Sequence, residues 1–195
     1  ASDVYKRQAN EELQAIGESP LFHPLEKIHT APTTFPGRSR PIKDVRDHAY
    51  LNMYMALQKS SNVYVAKLVE RIIDRLGAAW YREKLRTVFG FGEKTGIEYP
   101  YENIGFLPRL GKTYKTGTMQ WSKSTPYSLA MGYNLLANSM QMIRAYGILA
   151  NRGLDVRPTF VRRIMNRDKI IKEPLPLHTR IISEEICEEL SLIHI

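Results

Sequence analysis

The chain is poor in several things, and each scarcity removes a class of explanation. Among its 195 residues there is one cysteine, Cys187. No intramolecular disulfide framework and no cysteine-based metal cluster can therefore hold it together. No apolar run approaches the roughly 20 residues that a bilayer span needs, and no leader-like segment is present, absences that speak for these residues alone and exclude no anchor or leader elsewhere. Glycine and proline number only 12 and 11 against 43% apolar residues, a globular rather than a disordered composition. His23, His29, His48 and His178 lack metal-ligand spacing, so no metal is expected. The methionines of "LNMYMAL" and "NSMQMI" read as core stripes.

Charge is the one thing in excess. A formal +8 and a pI near 9.6 raise the question of a nucleic-acid partner. The basic residues are dispersed, however. "KLVERIIDRLG" and "WYREKLR" mix both signs along helical faces, the pattern of an ordinary solvated surface. With no zinc-ligand spacing, basic arm or RNA-binding aromatic signature, no nucleic-acid partner is expected. The basicity favours anionic surroundings.

Along the chain, "ANEELQAIGE" reads as the end of a helix that stops near Gly17. Ser19 to Pro41 lacks helical periodicity and suggests short extended pieces joined by a turn at Pro36–Gly37. Asp47 can cap a helix carrying "AYLNMYMALQKS". A second helix should follow Ser60–Asn62, with Val63, Ala66, Val69, Ile73 and Leu76 as its core stripe and Gly77 closing it in the left-handed conformation. "AAWYREKLRTVF" is a third helix, stopped by "GFG". Glu93 to Pro126 reads as loop. Asn138 or Ser139 can cap a fourth helix, with Gly153 just past its end. "TFVRRIM" and "KIIKE" around "NRD" signal a β-hairpin, and Ser183 caps a last helix with acidic residues at its positive end. Helices first, then a hairpin, then a helix make an α+β layout whose sheet is only begun.

Three stretches carry a family resemblance in the right order: "ALQKSSNVYVAKL", "FGFGEKTGIEYP" and "AYGILANRGLDVRPTFV". Together they resemble the transpeptidase domain of class B, monofunctional penicillin-binding proteins, with "ANEELQAIGESPLF", "ALQKSSN" and "SLAMGYN" most like chlamydial members. "FPGRSRPIKD" is similar to the family's G-G-x-x-I-x-D strand, and Gln141 stands where a helix-borne glutamine is expected. The ends look foreign. "DVYKRQ" and "LSLIHI" resemble adapter read-through, so the expected organisation is a non-native tail over 1–8, a partial transpeptidase domain over 9–190 and a second tail over 191–195. The resemblance implies a partial β-lactamase/transpeptidase-like fold, a helical lobe plus an incomplete antiparallel sheet.

It also implies a chemistry. Cross-linking peptidoglycan stem peptides is acyl transfer through a serine, and a serine hydroxyl needs a base to become nucleophilic. The family uses a Ser-x-x-Lys pair, a Ser-x-Asn and a Lys-Thr-Gly strand. By resemblance Ser60 is the proton-relaying serine and Asn62 the positioning amide, with Ser61 between them in a packing role. Asp44, Asp47 and His48 are better explained by capping and solvation than by acid–base chemistry. "YKTGTM" spells the third motif, yet it precedes both helices that the family's strand follows and lacks a buried strand's alternation. Lys115–Gly117 is therefore expected to be an exposed turn, with the family's strand beyond Leu190. No Ser-x-x-Lys precedes Ser60, so the nucleophile is expected upstream and this piece alone is expected to be inactive. Where relatives carry G-Q-G-x-x-x-T-P-x-Q, this chain has "GYNLLANSMQ", with Asn134 for a glycine and Asn138–Ser139 for Thr-Pro.

The resemblance implies no cofactor, β-lactam binding by the whole protein, a membrane glycosyltransferase partner and a single-pass inner-membrane anchor with a periplasmic catalytic domain. A β-lactam sensor domain of the same fold and a non-catalytic structural module are the alternatives.

Overall fold

The computed structural model describes residues 2–167, 169–172 and 179–193. Asp168 and Glu173 of the expected hairpin, His178, and the last two residues of the expected second tail lie outside the described residues.

The architecture is built around one long helix. Its elements are α1 (Ser2–Ala15), β1 (Ile28–His29), β2 (Tyr50–Leu51), α2 (Met53–Lys59), α3 (Asn62–Thr87), α4 (Thr125–Ala130), α5 (Ser139–Ala150), β3 (Ile164–Asn166), β4 (Lys169–Lys172) and α6 (Glu184–Ile193). α1, α2 and α4 all pack on α3. Two separate two-stranded antiparallel ladders, β1–β2 and β3–β4, are the sheet component.

α3 joins the second and third expected helices. Gly77 divides them with φ 83° and ψ 163°, a positive φ as expected but with an extended rather than left-handed ψ. Only glycine reaches that region without strain. On the first half, Val63, Ala66 and Val69 are fully buried, and Ile73 and Leu76 pack at the margin. Leu68 and Ile72 widen the face. Each such side chain contributes about 1.5–3 kcal/mol by leaving water. On the second half, Tyr81 meets Tyr5 of α1 edge-on at 5.0 Å between centroids. Their hydroxyls lie 3.3 Å apart, and burial pushes the Tyr81 phenol well above its ordinary range.

α1 ends as expected. Gly17 has φ 79°, and the amides of Gly17 and Glu18 return to the carbonyls of Gln14 and Leu13. The helix also runs through the residues expected to be a foreign tail and buries Val4, Tyr5 and Lys6, a fact about packing that is separate from their origin.

Two expectations fail locally. Asp47 does not cap α2. Ala49 accepts the amide of Thr30, and Tyr50 and Leu51 pair with His29 and Ile28, so the chain is extended there and the helix starts only after Asn52. The Asn52 side chain caps it, accepting from the Met55 amide. The expected loop over 93–126 also runs directly into the short α4, which starts at Thr125 with Pro126 in its first turn.

Of the two caps expected for α5, Asn138 or Ser139, it is Asn138 that serves. The Asn138 side chain accepts from the Gln141 amide, and the Gln141 side chain accepts from the Asn138 amide, a reciprocal capping box. The buried Gln141 Nε2 also donates to the carbonyls of Gly90, Glu93 and Ile104 at 3.2, 2.8 and 2.9 Å. One side chain thus fixes two loops against the helix. Gly105 sits in that seam, where a Cβ would stand 2.0 Å from the Leu136 carbonyl oxygen. Asn134 has φ 60°, which accounts for asparagine in a glycine's place, since asparagine tolerates the left-handed region.

Candidate active site

The Ser60–Asn62 triplet is the joint between α2 and α3. The end of α2 returns the Ser60 amide to the Leu57 carbonyl at 3.1 Å and the Ser61 amide to the Ala56 carbonyl at 2.9 Å. This is the paired closure that ordinarily uses a left-handed glycine. Here the left-handed residue is Ser60, with φ 52° and ψ 48°. For an L-residue that conformation costs roughly 1 kcal/mol or more. Ser61 then turns inward as the N-cap of α3, its Oγ accepting from the Tyr64 amide at 3.1 Å.

A buried carboxylate holds this joint. Ser61 Oγ donates to Asp44 Oδ2 at 2.5 Å, and the Val63 amide donates to Asp44 Oδ1 at 3.0 Å. Asp44 is only 9% exposed and Ser61 1%. The bridge between Thr33 and Ile42 delivers Asp44 to this point, two residues beyond the pairing. Beneath it, Phe35 and Tyr127 stack at 4.8 Å against the first turn of α3. Burial pushes the Tyr127 phenol up to about 12, helped by the charges of Glu70 and Asp74, so it stays protonated at neutral pH.

The three side chains of the triplet therefore divide. Ser61 is consumed by the cap. Ser60 is exposed and Asn62 half-buried, and neither side chain hydrogen-bonds to any described residue. Two side chains able to donate and accept thus flank a clamped one, on a backbone fixed from both sides. Asp44 belongs to the clamp, as a buried cap rather than a solvated one. Its sequence signal was the isoleucine–x–aspartate ending of "FPGRSRPIKD". Asp47 is exposed and takes no part in the clamp.

Lys115–Gly117 is built quite differently. The Gly117 amide returns to the Tyr114 carbonyl at 3.0 Å, the Tyr114 amide to the Thr118 carbonyl at 2.8 Å, and Thr113 bridges Met119. With Gly117 at φ 84°, this is a tight three-residue hairpin tip. Lys115, Thr116 and Gly117 are all exposed. The spelling sits on a turn, as expected, and not on a sheet strand. One surface concavity is apolar, beside Phe106, Tyr114 and Leu136, and another is charged, beside Arg82 and Arg109. Neither includes Ser60 or Asn62.

The chain belongs to the penicillin binding protein transpeptidase domain family, whose model matches residues 18–193. It is similar to a peptidoglycan D,D-transpeptidase MrdA of Acinetobacter baumannii, 31% identical over 131 residues, or 65% of this chain and 19% of that protein. It is also similar to the penicillin-binding protein PbpB of Mycobacterium tuberculosis, 32% identical over 131 residues, or 67% of this chain and 17% of that one. The chain thus spans about a fifth of the length of these curated relatives. Among solved structures it resembles penicillin binding protein 3 of Mycobacterium tuberculosis complexed with aztreonam, with TM-score 0.74 and 26% identity over 97% of this chain and 39% of that one. The ampicillin complex of the same protein gives TM-score 0.75 at 23% identity, covering 99% of this chain and 39% of that one. The α+β class and the partial transpeptidase fold follow from these likenesses.

Proposed function

We propose that this chain is an internal piece of a peptidoglycan D,D-transpeptidase that cross-links stem peptides by serine acyl transfer. Ser60 is its proton-relaying serine and Asn62 its positioning amide. The observation that carries the reading is the division of the triplet: Ser61 is spent on structure, while Ser60 and Asn62 keep their hydrogen-bonding capacity. Water satisfies such groups in the free protein, so the weight lies on their presentation: both sit on a backbone fixed from two sides, with donors and acceptors open to a substrate.

The roles follow from the chemistry. A serine upstream of this piece gives its proton to a neighbouring base and attacks the penultimate D-alanine carbonyl of a donor stem peptide, and its Oγ forms the new ester. The peptide C–N bond breaks, and the terminal D-alanine leaves as an amine that must gain a proton. A hydroxyl between the base and the leaving nitrogen gives up its own proton and regains one from the base, which is the part Ser60 takes. The Asn62 carboxamide donates with its NH₂ and accepts with its oxygen, so it can hold both substrate and base in line. An acceptor amine then takes the acyl group and frees the serine. β-Lactams acylate the same serine and are not released in this way. The whole protein is membrane-anchored with its catalytic domain in the periplasm, and a membrane glycosyltransferase is its expected partner.

The test is acylation by a fluorescent penicillin. The 195-residue chain should give no adduct that survives boiling in detergent. In the complete protein, Ser60→Ala and Asn62→Ala should each slow acylation about 100-fold or more, the range for loss of a proton-transfer group. Near-native acylation by Ser60→Ala would remove that serine from the mechanism.

A further inference from the structure

At the opposite end of α3 from the triplet, a concavity of about 410 Å³ is lined by Arg82, Glu83, Arg86, Glu93, Arg109 and Lys112. Its size is that of a small-ligand site. Its charges are unevenly satisfied. Arg86 takes both carboxylates, bonding Glu83 at 2.6 and 3.0 Å and Glu93 at 3.1 Å. The other three cations get no carboxylate among the described residues. Arg82 donates its Nε to the Pro108 carbonyl at 2.6 Å, which holds the guanidinium in place and leaves both terminal nitrogens without a protein acceptor among the described residues. The side chains of Arg109 and Lys112 make no hydrogen bond or ion pair there. Four cations against two carboxylates leave a net of two positive charges on one small surface.

We propose that this concavity binds a phosphoryl anion. Two guanidinium groups offer paired, planar donors and a lysine adds a point charge, a set suited to oxygens spread around a tetrahedral centre. The neighbouring cations also disfavour one another in the absence of an anion. Burial first, and then the charges of Arg109 and Arg86, hold the Arg82 guanidinium below its usual range. A phosphoryl anion relieves that repulsion without displacing any existing bond. Nothing in the acyl-transfer chemistry uses these groups, so this site stands or falls on its own.

The experiment is calorimetric titration of the 195-residue chain with pyrophosphate at low ionic strength. Inorganic phosphate, acetate and phosphatidylglycerol vesicles serve as parallel arms. Pyrophosphate should bind more tightly than acetate and weaken with added salt. The Arg109→Gln/Lys112→Gln double variant should bind about tenfold more weakly or worse, as expected when charge-assisted bonds are lost. A control that removes two exposed lysines elsewhere, Lys27→Gln/Lys43→Gln, should stay within about twofold. Vesicle binding lost in the double variant, without free pyrophosphate binding, assigns the phosphoryl group to a lipid. Binding of free pyrophosphate assigns it to a soluble ligand. Equal loss in the control, acetate binding as tightly as pyrophosphate, or no binding by the unaltered chain overturns the proposal. Circular dichroism of both variants separates lost binding from lost folding.

Discussion

Two triplets in this chain spell parts of the same catalytic vocabulary, and the fold treats them in opposite ways. Ser60–Asn62 is gripped from three sides, by the end of α2, the start of α3 and the buried Asp44 carboxylate. Lys115–Gly117 is the tip of a hairpin with every side chain in water and only local bonds behind it. Letters alone do not separate the two. The difference lies in what immobilises the backbone beneath them. A group that must meet a substrate within a fraction of an ångström belongs on a support of the first kind.

That contrast can be broken by stability measurements alone. The largest effect should come from Asp44→Ala, which removes the acceptor of two buried bonds and leaves the Ser61 hydroxyl and the Val63 amide unsatisfied. About 3 kcal/mol of unfolding free energy should be lost in denaturant titration, and a loss below about 1 kcal/mol would mean the joint does not depend on this clamp. The two serines should then move in opposite directions. Ser61→Ala should cost about 1–2 kcal/mol as a lost N-cap. Ser60→Gly should gain about 0.5 kcal/mol by relieving the left-handed serine. A stabilising glycine here would mark Ser60 as kept for chemistry at the expense of stability. A destabilising one would show that the hydroxyl serves the fold after all. The smallest effect belongs to the other triplet: Lys115→Ala and Thr116→Ala should each stay within about 0.5 kcal/mol.

What could be read from the sequence was whatever local chemistry decides. The Asn138 capping box, the Ser183 cap of α6, the Gly17 stop, and the new helix at Ser-Ser-Asn all follow from side chains bonding within four residues, and all are present. The exposed hairpin at Lys115–Gly117 also followed, from flanks that lacked alternation. The misreadings involve partners distant along the chain. Asp47 looked like a cap because it precedes an apolar run. Two residues of β2 pairing with β1, about twenty positions upstream, decide otherwise. For Asp44 capping and solvation were both open, and capping holds, but its burial was not legible because its partners are seventeen and nineteen residues away. α4 is six residues long and opens on a proline, too short for any period to show. Within the triplet, the family pattern supplied Ser60 and Asn62. Why the middle serine differs from its neighbours is visible only once Asp44 is in place.

The bend at Gly77 has a mechanical consequence. A straight rod of 26 residues would be about 39 Å long, and a small tilt at one end would be levered into a large displacement at the other. Divided at the glycine, the rod becomes two short arms: Val63 and Ala66 of the first sit in a cluster of their own, while its Val69 and Ile72 share the main core with Tyr81 and Leu85 of the second. Repacking around the basic hollow then reaches the serine–asparagine tip through that shared core rather than along one rigid rod. An alanine at position 77 would take that freedom away.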